Sequence, residues 1–260
     1  MDWNFVAVGP VVATVQVPAG QVDLHPETDG EIRVSLEPGS SSNRARELVA
    51  ASRVTFESGR LDVHVPSRTF KNAEVLCTVR LPVGSSVTVR TGSADVRCAG
   101  TVGDFTATVA SGDVDVENVE GELSVTIASG DLRCERVSNR ARLRGASGDV
   151  TIGQAGGPVE LSVASGDIEI GDAAASVKAD NASGDVEIRR AHEGEIRAKT
   201  ASGDITVGVA SGVGAYLDVR SLSGDMTCTL PFDESEPGDA KLRIICESVS
   251  GDVAIVPAGT

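Results

Sequence analysis

The chain has 260 residues, enough for one large or two small domains, and a formal net charge of −15. That charge speaks against nucleic acid, which needs clustered Lys and Arg, and against anionic lipid. One Trp, one Tyr and five Phe beside 29 Gly point to a thin aliphatic interior turned by many tight corners, because globular cores usually draw bulk from aromatics.

The chain opens with 1-MDWNFVAVGPVVATVQV-17, which has no basic n-region and no uninterrupted apolar run. It does not read as a signal peptide, and no window is long enough to span a bilayer. The expectation is a cytoplasmic protein with no direct membrane insertion. Five cysteines, at 77, 98, 134, 228 and 246, show no CxxC and no paired spacing. Such a set reads as free thiols in a reducing compartment.

Residues 1–85 carry strand patterns near 11–17, 21–24, 31–36, 53–57, 60–65, 74–80 and, continuing past the boundary, 85–90. Turns are expected at 18-PAG-20, 38-PGSSS-42, 58-SG-59 and 82-PVG-84. The segment 43–52 reads as a short helix opened by Ser42 or Asn43. This region is expected to be a divergent, strand-rich N-terminal cap, continuous with the solenoid of residues 86–260. A capped end hides backbone groups that would otherwise invite stacking.

Residues 86–260 are a repeat. A Ser begins the triplet at 93, 111, 129, 147, 165, 183, 202, 223 and 250; the first five steps are 18 residues, and the later ones are 19, 21 and 27. The best copies are Ser111-Gly112-Asp113, Ser129-Gly130-Asp131, Ser147-Gly148-Asp149, Ser165-Gly166-Asp167, Ser183-Gly184-Asp185 and Ser202-Gly203-Asp204. A fixed period in this range marks a repeat architecture. Counting the Ser as position one, positions four and six are apolar (Val114 and Val116, Ile168 and Ile170), as are thirteen and fifteen (Leu123 and Val125, Val159 and Leu161). Period-two alternation means short strands with one buried face. A bend, often at Gly121, Gly157 or Gly194, joins the two strands of a unit.

Chemistry matches position by position from unit to unit, as it must when each residue lies above its predecessor. The predicted fold is therefore all-β: a parallel β-solenoid with coils of about 18 residues. On the outer face Arg142, Glu160 and Lys178 alternate in sign, as ladder neighbours do. Each triplet reads as a corner. Gly permits the bend, Asp and Ser satisfy turned backbone, and the preceding Ala is expected to face inward. Late insertions fall at 208–221 and 229–249, with an acidic exposed loop at 233-DESEPGD-239.

The corner carboxylates would stand in one column, from Asp95 through Asp252, and like charges at strand spacing repel. Calcium between coils is one remedy, with Asp113, Asp131, Asp149, Asp167, Asp185 and Asp204 as candidate ligands. The favoured remedy is local: each carboxylate accepts backbone N–H bonds within its own corner or from the next. His25, His64 and His192 are dispersed and lack a nucleophile context. No catalytic residue and no cofactor is expected. The Cys positions suit a small hydrophobe in a narrow core better than a metal row.

The run 80-RLPVGSSVTVRTGSADV-96, together with the serial SGDV units after it, resembles the bacterial putative-adhesin family of β-strand-repeat proteins, a domain of unknown function. The resemblance covers nearly the whole chain. It implies a β-helical fold and no established enzymatic activity, with many envelope-associated relatives. There is a looser architectural similarity to bactofilins, which are polymerising β-helical scaffolds. The functional expectation is a non-enzymatic scaffold or protein-interaction module presenting a rigid acidic β-helical surface. The alternative is a calcium-stabilised or glycan-contacting adhesin-like protein. The expected partner is an unidentified protein or a second copy, met through the C-terminal solenoid end at 250-SGDVAIVPAGT-260.

Overall fold

A computed structural model describes residues 1–27, 30–67, 73–230 and 241–259. The chain forms two compact units, Met1–Leu132 and Arg133–Thr260. The expected acidic loop at 233–239 lies outside the described residues.

The first unit contains β1 (Asp2–Val6), β2 (Val12–Glu27), β3 (Glu31–Pro38), α1 (Asn43–Ala51), β4 (Arg53–Glu57), β5 (Arg60–His64), β6 (Val75–Pro82), β7 (Ser86–Val102), β8 (Phe105–Ser111), β9 (Val114–Val119) and β10 (Leu123–Ser129). Parallel stacking already begins at β2. It pairs with β7 over most of its length, Val15 opposite Val89, Gly20 opposite Ala94 and Val22 opposite Val96. The turn at 18–20 is thus itself a corner. Gly20 has φ +125°, and a Cβ there would sit 2.6 Å from the Val75 nitrogen. On its other side β2 pairs in parallel with β5 and β6.

Antiparallel pairs appear only beyond that layer among the described strands of this unit: β3 with β6, β1 with β3, and β4 with β5. The expected helix is α1. Ser42 Oγ accepts from the Ala45 N–H at 3.1 Å, satisfying a donor that helix geometry leaves open. Ala45, Leu48 and Val49 form its buried face. Phe5 and Phe56 meet at a tilt of 45°, with ring centroids 5.6 Å apart. Above β7 the coils are regular, with β8 and β10 in one column and β9 beside β7.

Strand β11 (Leu132–Val137) leads into the second unit. That unit holds β12 (Ala141–Ser147), β13 (Val150–Ala155), β14 (Val159–Ser165), β15 (Ile168–Ala173), β16 (Val177–Ser183), β17 (Val186–Ala191), β18 (Gly194–Ser202), β19 (Ile205–Val209), β20 (Ala215–Ser223), β21 (Met226–Cys228), β22 (Leu242–Ser250) and β23 (Val253–Pro257). All its described pairings are parallel. Even-numbered strands stack in one sheet and odd-numbered strands in another. The narrow core is built from matched columns, such as Val150, Ile168, Val186 and Ile205, each at most 2% exposed.

The last two coils are out of chain order. Strand β18 pairs with β22, and β20 pairs with the far side of β22. Likewise β19 pairs with β23, and β21 lies beyond β23. The expectation that residues 250–260 form the end of the stack is therefore corrected. The last coil in sequence is second to last in space, and the outer strands are β20 and β21. Corner spacing cannot reveal this, because a coil inserted below its predecessor has the same corner and the same inward columns.

Candidate functional site

The corner column is the most regular array of charge in each unit. In the first, Asp113 N–H donates to Asp95 Oδ1 at 3.1 Å, and Asp131 N–H to Asp113 Oδ1 at 2.9 Å. In the second, Asp167 N–H donates to Asp149 Oδ1 and Asp185 N–H to Asp167 Oδ1, both at 2.9 Å. The chain of bonds continues from Asp204 to Asp185, from Asp252 to Asp204 and from Asp225 to Asp252, each at 2.8 Å. Each of these carboxylates thus accepts the N–H of the next Asp in the stack. A turned backbone donor, which the strand ladder leaves unpaired, finds a charged acceptor.

The glycine is needed twice over. Gly112, Gly130, Gly166 and Gly184 have φ between +123° and +129°, where side chains are rare. A Cβ on Gly112 would also sit 2.5 Å from the Ala94 oxygen, and one on Gly166 2.6 Å from the Gly148 carbonyl carbon. The corners approach backbone to backbone. The serine contributes its carbonyl, which accepts the glycine N–H of the adjacent coil: Gly112 to Ser129 at 3.1 Å, Gly166 to Ser183 at 3.0 Å.

The expected inward alanine is a correction. Ala110, Ala128, Ala146, Ala164, Ala182 and Ala201 are all exposed. The strand alternation continues to the corner, so the residue before each alanine is the inward one. There the sequence reading missed a second column. In the second unit Val163 gives way to Asn181, Thr200 and Ser248, which are buried. Asn181 Nδ2 donates to Gly166 O at 2.9 Å, Thr200 Oγ1 to Gly184 O at 3.3 Å and Ser248 Oγ to Gly203 O at 3.4 Å. In the outer coil Ser221 Oγ does the same to Gly251 O at 3.0 Å. The signal was available: a change from apolar to polar at one repeat position.

Among the described residues no group of three or more His, Cys, Asp or Glu is arranged to hold a metal ion. None of the five cysteines is in a disulfide; Cys77, Cys98, Cys134 and Cys246 are buried and Cys228 is exposed. Burial pushes the Cys77 thiol up to about 12, with Asp23 adding to the shift, and burial also pushes the Cys246 thiol up to about 12. Such thiols stay protonated and unreactive at neutral pH.

His192 Nε2 lies 3.1 Å from Asp172 Oδ1, and Arg190 is 3.7 Å from the same carboxylate. Ser211 lines the same shallow hollow as His192. Among the described residues no hydrogen bond joins Ser211 to His192. A second hollow is lined by Arg140, Arg142, Lys178 and Arg197. Arg142, Lys178 and Arg197 are paired there with Glu160, Asp180 and Glu195. Among the described residues no helix is long and apolar enough to cross a membrane.

Among solved structures, the chain is similar to a putative adhesin from Bacteroides fragilis, 14% identical over 98% of this chain and 96% of that one, with a TM-score of 0.45. A putative lipid binding protein from Parabacteroides distasonis is 13% identical over 100% and 96%, with a TM-score of 0.38. A putative cell adhesion protein from Clostridium sporogenes is 10% identical over 99% of each chain, with a TM-score of 0.30. None of these three carries the looser likeness to bactofilins. No curated protein matches the chain. Residues 14–256 match the family described as Toastrack DUF4097, which takes in all but the ends of the chain and every SGD corner; the chain belongs to that family, a domain of unknown function.

Proposed function

We propose that the chain is a non-enzymatic scaffold or protein-interaction module that presents a rigid acidic β-helical surface. One observation carries the reading. The corner carboxylates, which would be the natural candidates for acid–base or metal chemistry, accept backbone N–H groups of neighbouring corners. Their regularity is that of structure. The net charge of −15 favours a partner with a cationic face. The proposal includes a cytoplasmic location, which five cysteines outside any disulfide support.

The test runs a panel of glycan and ester substrates beside affinity capture from host cells. A stoichiometric partner protein with no turnover is the expected result. Turnover that disappears in both His192→Ala and Asp172→Asn overturns it. The calcium-stabilised alternative is tested by thermal melting with and without a chelator: an unchanged Tm is expected, and a fall on chelation replaces the metal-free reading.

A further inference from the structure

The outer strands β20 and β21 leave core positions open. Met226 lies above Val253, and Cys228 above Ile255. Val253 and Ile255 are each 1% exposed, whereas Met226 is 58% exposed. On the outer face of β20, Tyr216 is 44% and Leu222 83% exposed. Among the described residues β20 pairs with β22 alone, and its other edge has no partner strand. The Leu242 N–H donates to the Gly214 carbonyl. In a parallel pair alternate residues turn both backbone groups to the same neighbour. The N–H and C=O groups of Leu217, Val219 and Ser221 therefore face the open side.

The outward side chains of β20 show what fits there. Up the stack one outer column reads Asp180, Lys199, Glu247, Arg220, alternating in sign at every step. Lys199 Nζ lies 2.6 Å from Glu247 Oε2, and Arg220 adds to the field that lowers the Glu247 carboxyl. The column calls next for an anion. The neighbouring column reads Lys178, Arg197, Ile245, Asp218 and calls next for a cation.

We propose that two copies of this chain join edge to edge through β20, antiparallel, about a twofold axis at Val219. Antiparallel pairing keeps residues of the same face opposite one another, so the axis must pass through a residue for both interiors to lie on the same side. An axis at Asp218 would set Asp218 against its own copy. An axis at Val219 sets Asp218 of each copy against Arg220 of the other, so that the ion pair each strand already makes within itself, Arg220 Nε to Asp218 Oδ1 at 3.2 Å, continues across the axis and up both columns. It also sets Tyr216 against Leu222, joining the two exposed apolar groups, and Leu217 against Ser221 on the inner face. The pair Val219–Val219 then exchanges its two open backbone hydrogen bonds at the axis. An isologous contact of this kind closes on itself and stops at two copies. This inference rests on the reading of the chain as an interaction module and adds to its cationic partner a second copy, met locally through the mixed charges of β20.

The experiment uses the full chain in sedimentation velocity over a concentration series, with circular dichroism as the folding control. Wild type is expected to dimerise. Asp218→Arg and Arg220→Asp each place like charges opposite at two symmetric positions, weakening the dimer about tenfold or more. Mixed in equal amounts, the two single variants regain complementary charges and are expected to form a mixed dimer. The double variant Asp218→Arg/Arg220→Asp is expected to dimerise with itself. A wild-type chain that stays monomeric overturns the inference, as does a dimer indifferent to both single reversals, or two weakened variants that do not rescue each other. A monomer that still captures a host protein overturns the dimer and leaves the interaction-module reading standing. Turnover in the substrate panel overturns that reading and leaves the dimer result untouched.

Discussion

Replacing Gly166 with alanine tests whether the corner glycine is required by the bend or by the coil beneath it. At Gly166 φ is +128°, and an added Cβ would lie 2.6 Å from the Gly148 carbonyl carbon, with the carbonyl oxygen closer still. Both are backbone atoms, so no side chain can swing aside. Holding an L-residue in such a conformation costs about 1–3 kcal/mol. Relieving the clash also means separating two coils. That stretches the bonds from Asp167 N–H to Asp149 Oδ1 at 2.9 Å and from Gly148 N–H to Ser165 O at 3.0 Å, each worth about 1 kcal/mol. Stiffening of the unfolded chain returns about 0.4–1 kcal/mol. The expected net loss is about 3 kcal/mol, summing these terms. Gly212 is the control, with φ +77° and nothing within 4 Å of its added Cβ. Gly212→Ala carries the conformational strain alone and should lose about 1 kcal/mol. Urea unfolding monitored by far-UV circular dichroism reads both as shifts in midpoint. Stacked coils can unfold in stages, so the comparison is between variants of the same unit. If Gly166→Ala unfolds at the same midpoint as Gly212→Ala, contact between coils is not what the corner glycine serves.

Asp167→Asn keeps the oxygen that accepts the Asp185 N–H and relieves repulsion in the column, so it should melt at or above wild type. Asp167→Ala removes the acceptor and should lose about 1 kcal/mol in denaturant titration; equal stability of Asn and Ala would sink the hydrogen-bond account. A thiol reagent should label one cysteine rapidly in the native chain, Cys228, and all five after unfolding; mass spectrometry of the labelled peptides checks which. The Glu247 carboxyl is held below its ordinary value first by the hydrogen bond from Lys199; burial opposes this, and the charges of Lys199, Arg220 and Arg197 add to the lowering. A lowered carboxyl stabilises the fold above the ordinary Glu range and loses that contribution as pH falls through the folded value. Carbon-detected NMR titration should show Glu247 titrating low and moving up in Lys199→Met; no movement would remove Lys199 as the cause.

Much of the fold was legible because the physics of a stacked coil writes itself at fixed intervals. Position four must be apolar in every coil, so Val150, Ile168 and Val186 declare their column. Ser42 and the segment after it declared α1 by a cap that any helix start can use. The corner was legible as a corner, and its carboxylates as acceptors. What escaped was information that one coil does not hold. Gly20 is the only residue that 18-PAG-20 shares with an SGD triplet, so the first coil at β2 read as cap. The inward column ending at Asn181, Thr200 and Ser248 broke the apolar rule for the sake of a carbonyl in the coil beneath. The exchange of the last two coils left no mark at all, because Ser223 and Ser250 open equivalent corners and only the pairing partner distinguishes them.

That exchange has a consequence for how the chain is made. Residues 215–228 leave the ribosome before residues 242–257, at a moment when β18 and β19 are the exposed end of the growing stack. Both segments carry the same corner and the same inward alternation, so the earlier one has a ready site on β18 and β19 that it must not keep. The native order requires the later segment to take that site and the earlier one to stand outside it. The expected consequence is a competition between two segments of the chain for one docking position during folding, settled in the native order by the later segment. Deleting residues 242–260 should not simply shorten the stack; it should let 215–228 occupy the vacated level.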